Sequence, residues 1–457
     1  MKLKRITIEN FRCFESLTID FEEDANVIVG VNGAGKSSLL DAIAFALFDI
    51  TFTPYNAEIL QLITKTGKQL QYTKTGEKRL SVTLDDIHIV FDAQDTFIGR
   101  KDYICFEVEV IDDSQLPIFW QQKFHYKQTE EPPFFDTILN TQKIHEYIDR
   151  QWAKVQEDPH AGIVVPAYYR AKRCFSQTDR LGNIFDIKIE RPWALQNAMD
   201  AGDDYLAVCQ WFYLRENSEL RERVKIQDTK FEYPELRAVR NAIKNTIEDV
   251  ERIYFDESTP PHLMVEVRKN KVVEKLSLNQ LSDGYKNLLA MILDFARRLS
   301  IANPYMPNPL EASGILLIDE VELHLHPHWQ QTIIPSLRKV FPNTQIIVTT
   351  HSPQVLTTVD HRCIRILKDN EVYTVTESTN GAEAKRMLEH ILETESRPPN
   401  SEIGNKIKNI YDLINNNHLV DAQNEIDNLE EIKMDEPVIL EAESIIKCKH
   451  WEKEIGL

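Results

Sequence analysis

The stretch Gly30-Val31-Asn32-Gly33-Ala34-Gly35-Lys36-Ser37 leaves few folds open to this chain. It follows a short β-branched run, Asn26-Val27-Ile28-Val29, and leads into an apolar segment over 39–47 that reads as a helix. A strand, a glycine-rich turn and a helix in that order bring backbone N–H groups together at a helix start, where the dipole favours an anion. Lys36 is placed to reach the β- and γ-phosphates of a nucleoside triphosphate, and the Ser37 hydroxyl to ligate Mg2+. Asn32, Gly33, Ala34, Gly35, Lys36, Ser37 and Ser38 form the candidate nucleotide-binding set. A tight turn carrying a chance lysine would have to acquire this whole context by coincidence.

Three later segments add chemistry. Ile315-Leu316-Leu317-Ile318-Asp319-Glu320 is an apolar strand that runs into two acids. Beside a phosphate loop, Asp319 would hold the Mg2+ shell and Glu320 would act as general base on the attacking water. Leu281-Ser282-Asp283-Gly284 precedes an apolar helix over 288–299, and by itself is only a capped helix start. His351 follows Ile347-Val348-Thr349-Thr350 at another strand end, where an imidazole could touch a γ-phosphate.

The rest of the chain supplies the frame. Leu3-Lys4-Arg5-Ile6-Thr7-Ile8 and Leu17-Thr18-Ile19-Asp20-Phe21 alternate as half-buried strands do. Residues 80–127 continue in strands, among them Ser81-Val82-Thr83-Leu84 and Cys105-Phe106-Glu107-Val108-Glu109-Val110, and Ile163 to 169 forms another. Residues 193–254 read as charged helix before the two buried strands near 315 and 345. The sheet therefore opens early and closes late, with inserted material between. After Val375 the pattern is helical, broken at Arg397-Pro398-Pro399 and turning at Asn415-Asn416-Asn417. The last helices are acidic, which suits a solvated face or a docking surface for a basic partner.

Composition bounds the remaining possibilities. With 457 residues, of which 42% are hydrophobic, the chain is globular and holds about three domains' worth of sequence. No apolar run approaches a membrane span and the first residues lack a secretory core, so a cytoplasmic protein is expected. Six scattered cysteines indicate neither a disulfide framework nor a cysteine zinc site. A net charge of −19 argues against a surface built for polyanions and confines nucleic-acid contact to a patch or to a partner. Arg170, Lys172 and Arg173 cluster, as do Arg221, Arg223 and Lys225, but Glu216, Glu219 and Glu222 lie close enough in sequence to pair with the second group.

The four elements in this order resemble the ABC-type ATPases. The expected fold class is α/β, an ABC-type ATPase head (a P-loop NTPase) with an inserted helical subdomain and a C-terminal helical module. Ile8-Glu9-Asn10-Phe11-Arg12 is similar to the RecF, Rad50 and SMC branch rather than to transporter subunits. That resemblance implies a nucleotide contact for Arg12. It also implies a head-to-tail homodimer, with larger homo-oligomers open, in which Ser282 and Gly284 cap the partner's ATP. Glu320-Val321-Glu322-Leu323-His324-Leu325-His326-Pro327 resembles a segment of the branch's stand-alone ATPases, with Val321 in place of the usual proline. The alternating His324, His326 and His328 invite a metal reading, whereas the resemblance assigns this segment to a dimer-contacting loop. No glutamine follows the Val164-Val165 strand where such ATPases carry a γ-phosphate sensor, and Gln177 lies some residues on.

More narrowly, the chain resembles the PtuA ATPase family of Septu-type anti-phage systems, including retron-associated ones. The likeness rests on Val165-Pro166-Ala167-Tyr168-Tyr169-Arg170, Trp211-Phe212 with Arg215-Glu216, Asn308-Pro309-Leu310-Glu311, Thr350-His351-Ser352-Pro353 and the tail from Ser396. It implies an ATP- and Mg2+-dependent ATPase, with Glu320 and His351 catalytic, that regulates a separate HNH nuclease, a PtuB-like subunit. A retron reverse transcriptase with its DNA is a further partner in some of these systems. The expected organisation is a head over 1–380, with lobes 1–175 and 265–380 around an insertion 176–264, then an acidic helical domain 381–457. The segment after His351 is too short and too helical for the Toprim nuclease of related defence ATPases, so the chain is not expected to cut DNA. Two other readings stay open: a RecF-like repair ATPase acting directly on DNA, and an ATP-binding scaffold with little turnover.

Overall fold

The computed structural model describes residues 1–51, 82–91, 97–127, 134–171, 190–203, 205–269, 271–394, 401–430 and 437–454. They form two compact units, Met1–Met387 and Leu388–Leu457.

Among the described residues, eight strands open the first unit. β1 (Lys2–Phe11) and β2 (Phe14–Asp20) form an antiparallel pair whose inward residues alternate with exposed ones, and β3 (Ala25–Val29) is buried throughout. β4 (Ile89–Phe91) and β5 (Phe97–Arg100) make a small hairpin. β6 (Tyr103–Ile111), β7 (Pro117–Lys127) and β8 (Phe134–Asn140) extend the first pair into an antiparallel sheet of order β2-β1-β6-β7-β8. Residues 84–86 correct the strand expected over 81–84: they form a 3-10 turn, closed because the Asp86 carboxylate accepts from both the Thr83 amide and hydroxyl. That local hydrogen bonding competes with a strand ladder.

β9 (Val165–Tyr169) begins the second sheet, which has the order β16-β15-β3-β14-β13-β9. Between β9 and its completion lie two helices, Tyr205–Ile226 and Pro234–Thr246, and an antiparallel trio: β10 (Val250–Phe255), β11 (Leu263–Lys269) and β12 (Val272–Ser277). The insertion is therefore helical only as far as Thr246, and the helix expected to reach 254 ends where β10 pairs with β11. Arg223 and Arg240 converge on Glu219, and Lys225 bonds Glu222, so the basic run around 221–225 is partly neutralised by ion pairs. Lys172, Arg173, Gln177 and the Arg397-Pro398-Pro399 break lie outside the described residues.

β13 (Gly314–Ile318) and β14 (Thr344–Thr349) enter parallel to β9 and β3, followed by β15 (Ile364–Lys368) and the antiparallel β16 (Glu371–Thr374). β3, β9, β13 and β14 are buried on both faces, as parallel strands covered by helices are. One cover is the helix Lys36–Leu47, buried from Leu39 to its end. Phe45 packs against Phe11 and Phe106 of the antiparallel sheet, and Trp120 Nε1 donates to the Ala46 carbonyl at 3.1 Å. The other is the helix Asp283–Ala302, whose Phe295 meets Phe341 edge-on.

The second unit is a helical module of Glu402–Asn415, Leu419–Glu430 and Pro437–Glu454. Ile407, Ile410 and Ile414 recur at helical spacing and meet Leu419, Ala422, Ile426, Leu429, Ile439, Ala442 and Ile446. Glu402, Asp412, Asp421, Asp427 and Glu441 stay exposed.

Candidate nucleotide site

Register brings the site together. Ile28 of β3 lies beside Thr349 of β14, Val348 beside Ile318 of β13, and Ile318 beside Tyr169 of β9. The residues that leave these strands, Gly30, Thr350-His351, Asp319-Glu320 and Arg170, therefore share one edge of the sheet. In open α/β sheets that carboxyl edge is where ligands bind.

At the first strand end the chain turns through Gly33 and Gly35, with φ of 84° and 94°. Gly35 can be nothing larger: a Cβ there would sit 2.5 Å from the Cys13 sulfur and 2.7 Å from the Phe14 ring. The helix that follows has no side-chain cap and no acid in its first turn, so its leading N–H groups have no side-chain cap. Lys36 lies folded back, donating to the Gly30 and Val31 carbonyls at 2.9 and 3.0 Å. Burial lowers its pKa, while Asp319, Glu320 and Glu322 pull it the other way. Asn32, Gly33 and Ser37 are exposed, Ala34 is half-buried, and the Ser38 hydroxyl bonds the Cys13 thiol.

Asp319 is 4% exposed. Its amide bonds the Tyr169 carbonyl at 2.9 Å, and its Oδ1 accepts from the Thr349 hydroxyl at 2.6 Å. The same hydroxyl accepts from the Glu320 amide at 2.8 Å, and Glu320 itself turns at φ 48°. A non-glycine residue held at positive φ is strained, and this strain lies directly at the proposed base. Glu322 Oε1 accepts from the His351 amide at 2.5 Å, while its Oε2 is buried without a hydrogen-bond partner. Burial, then the charge of Lys36, lowers the His351 pKa, against Glu322, Glu320 and Asp319. Lys36, Asp319, Glu320 and His351 thus feel one another electrostatically. Thr349 and Glu322 complete this cluster and were not singled out in the sequence, although Glu322 stands two residues after the acidic pair. A hydroxyl at Ser37 and a carboxylate at Asp319 are the hard oxygen donors that suit Mg2+.

Arg12, at φ 50° in the turn between β1 and β2, is placed beside the phosphate helix. Its Nη1 bonds Asp41 Oδ2 at 2.5 Å and its Nε bonds Asp86 Oδ1 at 2.8 Å. Ser282 and Gly284 begin a different helix. Ser282 is exposed and its side chain makes no cap bond, whereas Gly284 is buried where a Cβ would overlap the His324 carbonyl oxygen. His326 Nδ1 accepts from the His328 amide at 3.3 Å. Among the described residues no group of three or more His, Cys, Asp or Glu gathers as for a metal ion. Likewise, no described helix is long and apolar enough to cross a membrane.

Residues 2–374 match the RecF/RecN/SMC N terminal domain family, and the chain belongs to it. It is an ATPase of the SMC/Rad50 branch with an α/β head of ABC type. Relatives narrow the kind of ATPase it resembles. It is 28% identical to a retron Ec83 probable ATPase of Escherichia coli over 91% of this chain and 80% of that one. It is 27% identical to a retron Vc95 probable ATPase of Vibrio cholerae over 81% and 74%. A Septu protein PtuA of Bacillus mycoides is 37% identical over 21% of this chain and 13% of its own length.

Proposed function

We propose that the chain binds and hydrolyses ATP as a head-to-tail dimer and so controls a partner HNH nuclease in anti-phage defence. The observation that carries the catalytic part is the convergence of Lys36, Asp319, Glu320 and His351 at one edge of the sheet. Lys36 leaves the Gly30 and Val31 carbonyls for the β- and γ-phosphates, which the amides from Asn32 to Ser38 surround. Arg12 joins them from the side. Ser37 and Asp319 would hold Mg2+, which would neutralise phosphate charge. Glu320 orients and deprotonates the attacking water, and His351, kept neutral by its surroundings, donates to the γ-phosphate. The exposed Ser282 hydroxyl and Gly284 present a helix start to the nucleotide of the second protomer.

In this reading the head spans 1–380, with lobes 1–175 and 265–380 around the insertion 176–264. The acidic helices of 381–457 are left for partners. The names of the retron and Septu relatives support the defence role. Lys36→Ala should abolish ATP binding, and Glu320→Gln should bind ATP but accumulate as the dimer; turnover in both at the native rate would sink the site. Affinity capture from the native operon tests the partner. A small HNH protein, with or without a reverse transcriptase and its DNA, supports defence, whereas DNA ends with repair proteins would replace it with a RecF-like role.

A further inference from the structure

One carboxylate beside the site holds two arginines. Asp41 is 4% exposed and lies one helical turn after Ser37, on the same face of the phosphate helix. Its Oδ2 takes Arg12, and its Oδ1 takes Arg170 Nη1. The Tyr168 hydroxyl also reaches Asp41 and feels Asp319. Arg170 is the first residue beyond β9, level with Asp319 beyond β13 and Thr349 at the end of β14. Its guanidinium lies over the Tyr168 ring at 4.9 Å, and its Nε bonds Asp200 at 3.1 Å. The side chain is one-third exposed, so it is not locked in the core.

We propose that Asp41 is a holding point from which Arg170 is released to the terminal phosphate of bound ATP. The inference rests on the nucleotide reading above and adds to it a residue that recognises the third phosphate. An arriving triphosphate sets several negative charges at the helix start, one turn from Asp41, and offers a guanidinium the bidentate geometry it favours. Asp200 and Tyr168 keep Arg170 near the sheet edge while its Asp41 contact is exchanged. ADP, which lacks the third phosphate, leaves Arg170 on Asp41. The carboxylate thereby makes ATP and ADP distinguishable from the β9 end of the sheet edge.

The test measures binding of ADP and of a non-hydrolysable ATP analogue to the full chain by calorimetry. Arg170→Ala should weaken the analogue about tenfold and leave ADP within about twofold, a difference of about 1.4 kcal/mol in binding. Arg170→Lys should recover part of the loss. Asp41→Asn, by freeing the arginine, should tighten the analogue relative to ADP. Equal effects of Arg170→Ala on both nucleotides, or none, would overturn the proposal, and this pair of variants decides it even if Asp41→Asn fails to fold. Lys36→Ala keeps the two readings apart. If it still binds nucleotide the site itself is misplaced; if it does not while Arg170→Ala leaves the analogue-to-ADP ratio unchanged, only the arginine exchange is wrong.

Discussion

The Thr349 hydroxyl donates to Asp319 Oδ1 at 2.6 Å and at the same time accepts the Glu320 amide at 2.8 Å. One small side chain on β14 therefore positions both acids that end β13. Thr349→Val keeps the shape but removes the hydroxyl, leaving a buried carboxylate oxygen and an amide without it. The stability cost should be about 1–3 kcal/mol. Because Glu320 loses its anchor, kcat for phosphate release should fall about 10–100-fold. Thr349→Ser should restore most of the rate, and native turnover in Thr349→Val would show that Glu320 is positioned by something else.

His351 gives a prediction in pH. Burial and the Lys36 charge hold its folded pKa below the ordinary 6.5. The unfolded chain therefore takes up this proton first as pH falls, so His351 withdraws stability below about pH 6.5 and leaves it unaffected above. Proton NMR of the His351 ring should titrate below 6.5. Lys36→Met should move the midpoint up by removing a like charge, and Glu322→Gln should move it down by removing an anion. A midpoint that ignores both substitutions would place His351 outside the cluster.

Much of this arrangement could be read from the residues. The phosphate loop needed only local order, strand then glycines then helix, and β13 announced itself as four apolar residues before Asp319. Sequence alone could not show what depends on neighbours brought together from afar. Thr349 looked like one more β-branched strand residue until the register placed it beside Asp319. Asp41 sits in an apolar helix and Arg170 after an apolar strand, and only the fold joins them. Thr83 to Asp86 misled because strand-like residues there are bent by a local carboxylate cap. The β10–β12 sheet was missed because charged helical sequence ran directly into it.

Gly284 and Ser282 separate structure from chemistry in the same turn. A methyl at Gly284 would meet the His324 carbonyl, a backbone atom that cannot swing aside. Gly284→Ala should therefore lose about 1–3 kcal/mol, read as a lower urea midpoint with an unchanged slope. Ser282 is exposed and caps nothing, so Ser282→Ala should stay within about 0.5 kcal/mol of the native stability. If Ser282 faces a second protomer's ATP, that variant should still bind ATP but dimerise less, as sedimentation with the non-hydrolysable analogue would report. A fully ATP-responsive dimer in Ser282→Ala would remove the hydroxyl from the interface.

A buried carboxylate ties the helix Asp283–Ala302 to β9. Asp294 is 3% exposed and accepts the Tyr169 hydroxyl at 2.8 Å, Arg297 Nη2 at 2.6 Å and Arg298 Nε at 2.7 Å. Arg298 continues to the Ala194 and Gln196 carbonyls at 2.9 and 2.7 Å, so the cluster also fastens the start of the insertion. Burial alone would raise the Asp294 pKa, but the charges of Arg298 and Arg297 outweigh it and hold the carboxyl below its ordinary range. With the folded pKa depressed, its contribution to stability is present at neutral pH. It disappears as pH falls below about 4. Asp294→Asn removes the buried counter-charge shared by Arg297 and Arg298, and losing one partner of a buried ion cluster costs about 3–5 kcal/mol. Tyr169→Phe gives up only a neutral donor and should cost about 1 kcal/mol. Urea titrations at pH 7 and at about pH 2.5 should show the Asp294→Asn deficit shrinking at the lower pH. A deficit equal at both would mean that shape rather than charge makes Asp294 necessary.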